Sequence, residues 1–174
     1  ANAVSRLDVE KVGVISTVFT HNSRCYPQRI LAQSPKKLVV LSCGCPDLAR
    51  LVEHNLGDPG GMAAVEADLH QELDHMVYDD HIQCCVLGCT HYPLLKKMIG
   101  DFMGDEVHLV DSGKVTAQAA AAALDDLGLL NGKKTGGTAR YFVSDTPDNF
   151  DELAHTFLGE YAGGTVERIA IETY

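Results

Sequence analysis

Short apolar runs alternate with amphipathic stretches along most of the chain. A strand is predicted over residues 12–17, and the Ser/Thr/Asn-rich turn after it leads into a helical stretch that ends near residue 33. A second apolar run over residues 37–42 precedes a Cys-Gly-Cys-Pro turn, after which a helix is predicted from about residue 46 to residue 54. This part of the chain therefore has the strand-then-helix order of an α/β protein.

The segment after the Gly-rich loop at residues 57–61 carries a single apolar stripe. Its apolar residues recur at steps of three and four, which predicts a helix of about four turns with that stripe on one face. These residues are Met62, Val65, Leu69, Leu73 and Met76. Further strands are predicted over residues 82–87, 107–110, 140–144 and 166–171, and further helices from Pro93, over 115–127 and over 147–158.

The near-strict alternation of six strands with six helices predicts the fold class. Such a pattern is typical of an α/β protein with open, doubly wound parallel sheets, whose ligands bind at the carboxyl ends of the strands. We interpret the alanine-rich run at residues 117–123 as a close-packed face of one helix.

Composition and charge narrow the functional classes. Hydrophobic residues make up 45% of the 174 residues, enough for the core of a folded domain, while 24 acidic against 14 basic residues give a net charge of -10. No segment forms a basic face, so neither nucleic acid nor an anionic membrane is an expected partner. The uncharged run at residues 81–95 is shorter than the roughly 20 apolar residues of a membrane span. No leader pattern opens the chain, and we expect a soluble cytoplasmic protein.

The six cysteines are too sparse for a small disulfide-stapled fold, which favours reduced thiols. Zinc is the rival explanation for them. The C-x-C spacing of Cys43 and Cys45 differs from the common C-x-x-C knuckle, and Cys84 and Cys85 on one strand must face opposite sides. We therefore expect no metal, and we interpret Cys43 and Cys45 as packing residues at a turn.

The strongest candidate site is the segment from Leu87 to Pro93, where an apolar strand stops at Gly88 and a helix is predicted to follow. The N–H groups of a helix N-terminus and a nearby imidazolium both favour thiolate over thiol at Cys89. Thr90 and His91 place a hydroxyl and an imidazole within one turn of it. The alternative is a buried structural cysteine beside a capping threonine.

Other signals are weaker. Glu53 by itself is interpreted as a solvated carboxylate on a helix. Asp111-Ser112-Gly113 is either a binding site for a phosphate or carboxylate or the N-cap of the next helix. His70 and His75 are five residues apart on one helix, so they do not share a face and are interpreted as surface residues. No dinucleotide-binding, P-loop or nucleophile-elbow motif is present, and no lysine setting indicates pyridoxal phosphate, so no cofactor is expected.

At these residues the sequence resembles the glutamate racemases of the aspartate/glutamate racemase superfamily, from about residue 12 to residue 158. Residues 87–95, LGCTHYPLL, match the signature around the second catalytic cysteine of that family at every position. The stretch GVIGT-x-x-T-x-x-S-x-x-Y is similar to residues 13–26, with Ser16 in place of one glycine. The CP-x-x-x-x-LVE stretch corresponds to residues 45–53.

The resemblance implies the site roles. Cys89 is one of two catalytic acid/base thiols, Thr90 and His91 bind or assist at the substrate, and Glu53 is a supporting acid. L-glutamate and D-glutamate are the implied substrates, interconverted without a cofactor by two opposed thiols. The D-glutamate would supply peptidoglycan and hence cell-wall biogenesis and cell shape, and a homo-oligomer is expected.

The resemblance is partial. The family's Asp-Ser-Gly-x-Gly-Gly loop and its Cys-Asn-Thr turn, which holds the first catalytic cysteine, do not occur in these 174 residues. The chain is therefore identified as the carboxyl-terminal portion of such an enzyme, with a complete inserted α/β domain over residues 1–106 and a returning segment of the other domain over residues 107–174. Two alternatives stay open: a racemase of aspartate or another small carboxylate, and a non-catalytic self-associating module.

Overall fold

The computed structural model describes residues 1–56, 58–133, 137–145 and 150–171, with the backbone alone for residues 151–153, 160 and 161. The strands are β1 (Lys11–Ser16), β2 (Val39–Gly44), β3 (Cys84–Leu87), β4 (His108–Asp111), β5 (Arg140–Val143) and β6 (Thr165–Arg168). The α-helices are α1 (Asn2–Ser5), α2 (Val18–Ser23), α3 (Cys25–Gln33), α4 (Leu48–Asn55), α5 (Pro59–Tyr78), α6 (Lys96–Met103), α7 (Ser112–Asp126) and α8 (Phe150–Leu158). Two 3₁₀ turns cover Tyr92–Leu95 and Gly159–Ala162.

All six predicted strands are present, so the predicted alternation is confirmed and the protein has a mixed α/β fold with parallel sheets. The helical stretch after β1 differs from its prediction. It consists of two helices, because Arg24 adopts a left-handed conformation with a φ of 55° that ends α2 and precedes α3. The predicted helix start at residue 147 and the loop residue 57 lie outside the described residues.

The chain divides into two compact units, Ala1–Gly128 and Leu129–Tyr174. The domain boundary predicted after residue 106 concerns the domain arrangement of the family and stays a prediction. Strand β4 hydrogen-bonds to β3 within the first unit.

The first unit is built on a four-stranded parallel sheet in the order β2-β1-β3-β4. The chain passes from β1 to one neighbour and then crosses to β3 on the other side of β1. The carboxyl ends of β1 and β3 therefore flank a topological switch point, which is where α/β sheets bind ligands.

Alternate residues of the central strands pack against helices on opposite faces of this sheet. Ile15, Cys85 and Leu87 join a core cluster with residues of α4, α5 and α6. Cys84 joins a second cluster with residues of α1 and α3. The two neighbouring cysteines thus face opposite sides, as the period of a strand requires, and both are fully buried.

Helix α5 presents the predicted apolar stripe to the first cluster. Its buried residues are Val65, Leu69, Leu73 and Met76, and Met62 is partly buried against them. The helix begins at Pro59, one residue after Asp58, whose carboxylate accepts hydrogen bonds from the N–H groups of Gly60 and Gly61.

The prediction for the alanine-rich run is wrong. Residues 117–123 do form part of α7, but no residue of that helix is buried. Alanine has the highest helix propensity of the amino acids, so such a run forms a helix whether or not anything packs against it.

The second unit contains a two-stranded parallel sheet of β5 and β6, with α8 between the strands in the sequence. Arg140 pairs with Glu167 across the strands at 2.6 Å, and the guanidinium lies 5.1 Å from the ring centre of Phe142, which is half exposed. In the described part of the chain, no helix is both long and apolar enough to cross a bilayer.

Candidate active site

The candidate site begins where β3 ends, at the switch point of the sheet. The N–H of Gly88 donates to the carbonyl oxygen of Ile15 at 2.8 Å, which extends the β1–β3 pairing by one residue. A Cβ at Gly88 would lie 2.9 Å from that oxygen and 3.2 Å from the Tyr26 ring, so glycine is required for this close approach. Cys89 is therefore held at the carboxyl edge of the two central strands.

Cys89, His91 and Glu53 form a continuous hydrogen-bonded chain. The Cys89 Sγ lies 3.7 Å from the His91 Nδ1, and the His91 Nε2 lies 2.6 Å from the Glu53 Oε1. The Thr90 Oγ1 lies 3.4 Å from the same Nδ1. The four residues singled out in the sequence thus lie together, with Cys89 half-buried and the imidazole 20% exposed.

Helix α4 brings Glu53 to the imidazole. Leu48 and Val52 are fully buried in the core cluster that faces α5, and this packing fixes the rotation of the helix. Glu53 is next to Val52 and lies at the margin of the buried face, with its side chain 40% exposed. The carboxylate that the sequence alone suggests is solvated is therefore hydrogen-bonded to the His91 imidazole.

The geometry assigns the protons of this chain. A carboxylate only accepts hydrogen bonds, so the His91 Nε2 carries a hydrogen that it donates to Glu53. In the neutral imidazole the Nδ1 is then an acceptor, and it faces the Cys89 thiol. Transfer of the thiol proton to the Nδ1 gives a thiolate beside an imidazolium, and Glu53 stabilises the imidazolium. This is the arrangement of a nucleophile or base, its activating base and an orienting acid.

The predicted helix after Pro93 differs in detail. Pro93 lies in the 3₁₀ turn Tyr92–Leu95, and α6 begins at Lys96. Because the effect of a helix dipole falls off within the first turn, the α6 terminus contributes little at Cys89. The charge partner of the thiol is the His91–Glu53 pair.

A cleft of about 690 Å³ adjoins the hydroxyl end of this site. Thr90 and Pro93 line one part of it, and the start of α7 lines another. The pairing of Leu87 with Asp111 across β3 and β4 places these segments side by side. A small ligand in the cleft would contact the Thr90 hydroxyl.

Asp111-Ser112-Gly113 begins α7 as an N-cap, which was one of its two interpretations. The Asp111 carboxylate accepts a hydrogen bond from the Lys114 N–H at 2.9 Å, and the Ser112 hydroxyl donates to the carbonyl oxygen of Leu87 at 2.6 Å. The second bond ties the start of α7 to the end of β3, directly before the Cys89 turn.

Tyr92 is a site residue that the sequence reasoning left without a role. It is fully buried, and burial is the main reason that the pKa of its hydroxyl lies well above the usual range. The hydroxyl lies beside the Cys45 thiol and has no nitrogen or oxygen partner among the described residues. The apolar Pro-Leu-Leu that directly follows Tyr92 is the signal that could have identified it as a buried anchor for the Cys89 turn.

The remaining candidates lie where packing or solvent explains them. Cys45 is buried and Cys43 packs against the same cluster, as predicted for residues at that turn. His70 and His75 are exposed on α5, and the His70 Nδ1 bonds to Asp74 at 3.0 Å. Among the described residues, no group of three or more His, Cys, Asp or Glu side chains could hold a metal ion.

Comparisons with known proteins identify similar sequences and structures. The chain matches the Asp/Glu/hydantoin racemase family over residues 1–120. It is 37% identical over 159 residues to the glutamate racemase of Levilactobacillus brevis, covering 91% of this chain and 55% of that protein. It is 37% identical over 169 residues to the glutamate racemase of Syntrophus aciditrophicus, covering 97% of this chain and 60% of that protein.

Solved structures agree with the sequence relatives. The glutamate racemase of Francisella tularensis in complex with D-glutamate has a TM-score of 0.84 at 29% identity, over 99% of this chain and 62% of that one. A glutamate racemase isoform of Bacillus anthracis has the same TM-score and identity, over 98% of this chain and 61% of that one. The chain spans between 55% and 62% of the length of these four relatives.

Proposed function

The chain belongs to the Asp/Glu/hydantoin racemase family, and from this premise we propose that it is the Cys89-bearing part of a glutamate racemase. The observation that carries the proposal is the hydrogen-bonded chain from Cys89 through His91 to Glu53 at the carboxyl end of a central parallel strand. The sequence relatives and solved structures named above are glutamate racemases, which supports glutamate as the substrate.

Racemisation requires a base on one face of the α-carbon and an acid on the other. Cys89, after passing its proton to His91, is the base for one enantiomer, and it is the acid when the reaction runs the other way. A second thiol on the opposite face completes the reaction, and no cofactor takes part. We assign that thiol to the part of the enzyme that this chain does not span.

The neighbouring groups support the thiol and the substrate. Glu53 offsets the charge of the His91 imidazolium, so the thiolate forms at lower cost. Thr90 offers a hydroxyl to a substrate carboxylate from the edge of the cleft, and such fixed donors also stabilise the charge that develops on the carboxylate as the α-proton leaves. The product D-glutamate would supply peptidoglycan in the cytoplasm of a bacterium.

In this proposal each thiol removes the α-proton of one enantiomer. Following the family resemblance, Cys89 takes the α-proton of L-glutamate, and the opposed thiol takes that of D-glutamate. Each thiol faces one side of the carbon, so the two exchange reactions depend on different residues.

The first test measures conversion of L-glutamate to D-glutamate by chiral chromatography. The 174-residue chain alone is expected to give no conversion, because one thiol cannot serve both faces. A longer protein that includes the upstream coding sequence should convert both enantiomers, and Cys89→Ser should suppress this. Conversion by the chain alone, abolished by Cys89→Ala, would contradict the assignment of the second thiol to another part. Faster turnover of aspartate than of glutamate by the longer protein would favour the aspartate alternative.

The second test follows the α-proton in deuterated water by NMR. In the longer protein, Cys89→Ser should slow exchange from L-glutamate more than exchange from D-glutamate, since serine is a far weaker base at neutral pH. Unchanged exchange from L-glutamate with normal turnover would reassign Cys89 to a structural role.

A further inference from the structure

Cys43 and Cys45 form a thiol pair on a different strand from Cys89. Cys43 lies at the end of β2 and Cys45 in the turn directly after it, and each thiol is the neighbour with the largest effect on the pKa of the other. Residues two apart on a strand point to the same face, and both side chains pack into the same core cluster. The Cys43 thiol also donates to the carbonyl oxygen of Glu72 at 3.5 Å.

Gly44 between them is fixed by its surroundings. A Cβ at this position would lie 3.0 Å from the Cβ of His21 and 3.1 Å from the Cα of Val18. These contacts leave no room for a side chain between the two thiols. Glycine also adopts backbone conformations that a residue with a Cβ cannot adopt. A bond between the two sulfurs closes a small ring through the Gly44 backbone.

The two thiols are unequal in access and in acidity. Cys43 is half-buried, whereas Cys45 is 2% exposed. The hydrogen bond from Cys45 lowers the pKa of Cys43, against the opposing effects of burial and of the Glu72 and Asp68 carboxylates. The same hydrogen bond, together with burial, raises the pKa of Cys45. Cys43 is thus the more accessible and the more acidic of the two thiols.

We propose that Cys43 and Cys45 are a modification site that forms a reversible intramolecular disulfide with a low-molecular-weight disulfide as oxidant. The Cys43 thiolate attacks one sulfur of oxidised glutathione and releases one glutathione thiolate, which takes up a proton. The Cys45 thiol then loses its proton and attacks the Cys43 sulfur of the mixed disulfide, releasing the second glutathione. Two protein thiols are oxidised by two electrons, and one glutathione disulfide is reduced to two thiols.

This inference is independent of the proposed racemase activity, because it uses neither Cys89 nor a substrate. It does bear on the same region of the fold. Cys45 lies beside the hydroxyl of Tyr92, and Tyr92 directly follows His91. Oxidation replaces the Cys45 thiol beside that hydroxyl by a disulfide sulfur.

The test uses the folded 174-residue chain with the two other accessible thiols removed, as Cys25→Ser and Cys89→Ser together. The protein is equilibrated with oxidised and reduced glutathione, quenched with acid and alkylated. Its mass is then measured by intact-protein mass spectrometry, and peptide mapping identifies which thiols were alkylated. The expected product has lost two hydrogen atoms, carries no glutathione, protects Cys43 and Cys45 from alkylation, and returns to the dithiol with dithiothreitol.

Two matched variants in the same background separate the steps. Cys45→Ser should hold one glutathione on Cys43, because the resolving thiol is gone, and Cys43→Ser should stay unmodified, because Cys45 is buried. Circular dichroism shows that each variant is folded. A stable glutathione adduct on the parent protein, a disulfide that includes Cys85, or no reaction at any glutathione ratio would overturn the proposal.

Discussion

Replacing Glu53 by glutamine tests whether the carboxylate activates the Cys89 thiol through His91. Glutamine keeps the length of the side chain and an oxygen that accepts a hydrogen bond, so the 2.6 Å contact with the His91 Nε2 can persist. The substitution removes the negative charge that stabilises the imidazolium. Less thiolate should then be present at Cys89, and the thiol should react more slowly with an alkylating reagent.

The size of the effect follows from the exposure of the pair. Hydrogen bonds to charged groups contribute about 1.5–3 kcal/mol. The Glu53 side chain is 40% exposed, so solvent screens the pair, and the neutral oxygen of glutamine retains part of the bond. We expect a loss of about 1 kcal/mol, which corresponds to roughly a fivefold slower reaction.

The assay is the rate of carbamidomethylation of Cys89 by iodoacetamide at neutral pH, followed by peptide mass spectrometry. The exposed Cys25 in the same digest is the internal reference and should react at an unchanged rate. Glu106→Gln is the matched control, because it removes one negative charge from an exposed position outside the site. Equal Cys89 rates in the wild-type and Glu53→Gln proteins, or the same decrease in Glu106→Gln, would refute activation through His91.

Three further predictions concern stability and association. Gly88→Ala should lower the free energy of unfolding in urea by about 1–3 kcal/mol, because the new Cβ would lie 2.9 Å from the Ile15 carbonyl oxygen. An unchanged urea midpoint would show that the strands accommodate the methyl group without loss of stability. Burial raises the pKa of Cys84 from 9.0 to about 11. Between these two pH values the unfolded chain loses the thiol proton while the folded chain retains it. The free energy of unfolding should therefore fall as the pH rises through this window. Urea unfolding at pH 8 and about pH 10.5 should show a smaller fall for Cys84→Val than for wild type, and equal falls would contradict the assignment. Among the described residues the β5–β6 sheet has two strands, and Phe142 on β5 is half exposed. Light scattering at high concentration should therefore detect dimers, and a strictly monomeric solution would count against this.

The strands and the Cys89 turn could be predicted from the sequence because their signals are local. Each strand of the main sheet is an apolar run bounded by turn residues, and the turn after β3 contains glycine, a polar triplet and proline within seven residues. The break between α2 and α3 has no such signal. Arg24 is neither glycine nor proline, and yet its backbone is left-handed with a φ of 55°.

The contact between Glu53 and His91 could not be obtained from spacing alone. The two residues are 38 positions apart, and their distance depends on the packing of α4 against α5 and the 3₁₀ turn. Only the family resemblance pointed to Glu53. The alanine-rich run shows the converse limit, since composition predicted the helix correctly but carried no information about what covers it.

Helix α7 shows how unevenly stability is distributed in this protein. None of its 15 residues is buried. Apart from the Ser112 hydrogen bond to the end of β3, the helix therefore depends on the propensity of its alanines and on the Asp111 cap. Isolated helices of this length are marginal in water. The backbone amides of α7 should therefore exchange with solvent through fraying from the carboxyl-terminal end, on a shorter timescale than the buried amides of β1 and β3, which open only when the whole unit unfolds. Thermal melting should accordingly begin in α7 and reach the sheet later, so that the protein does not unfold as a single cooperative unit.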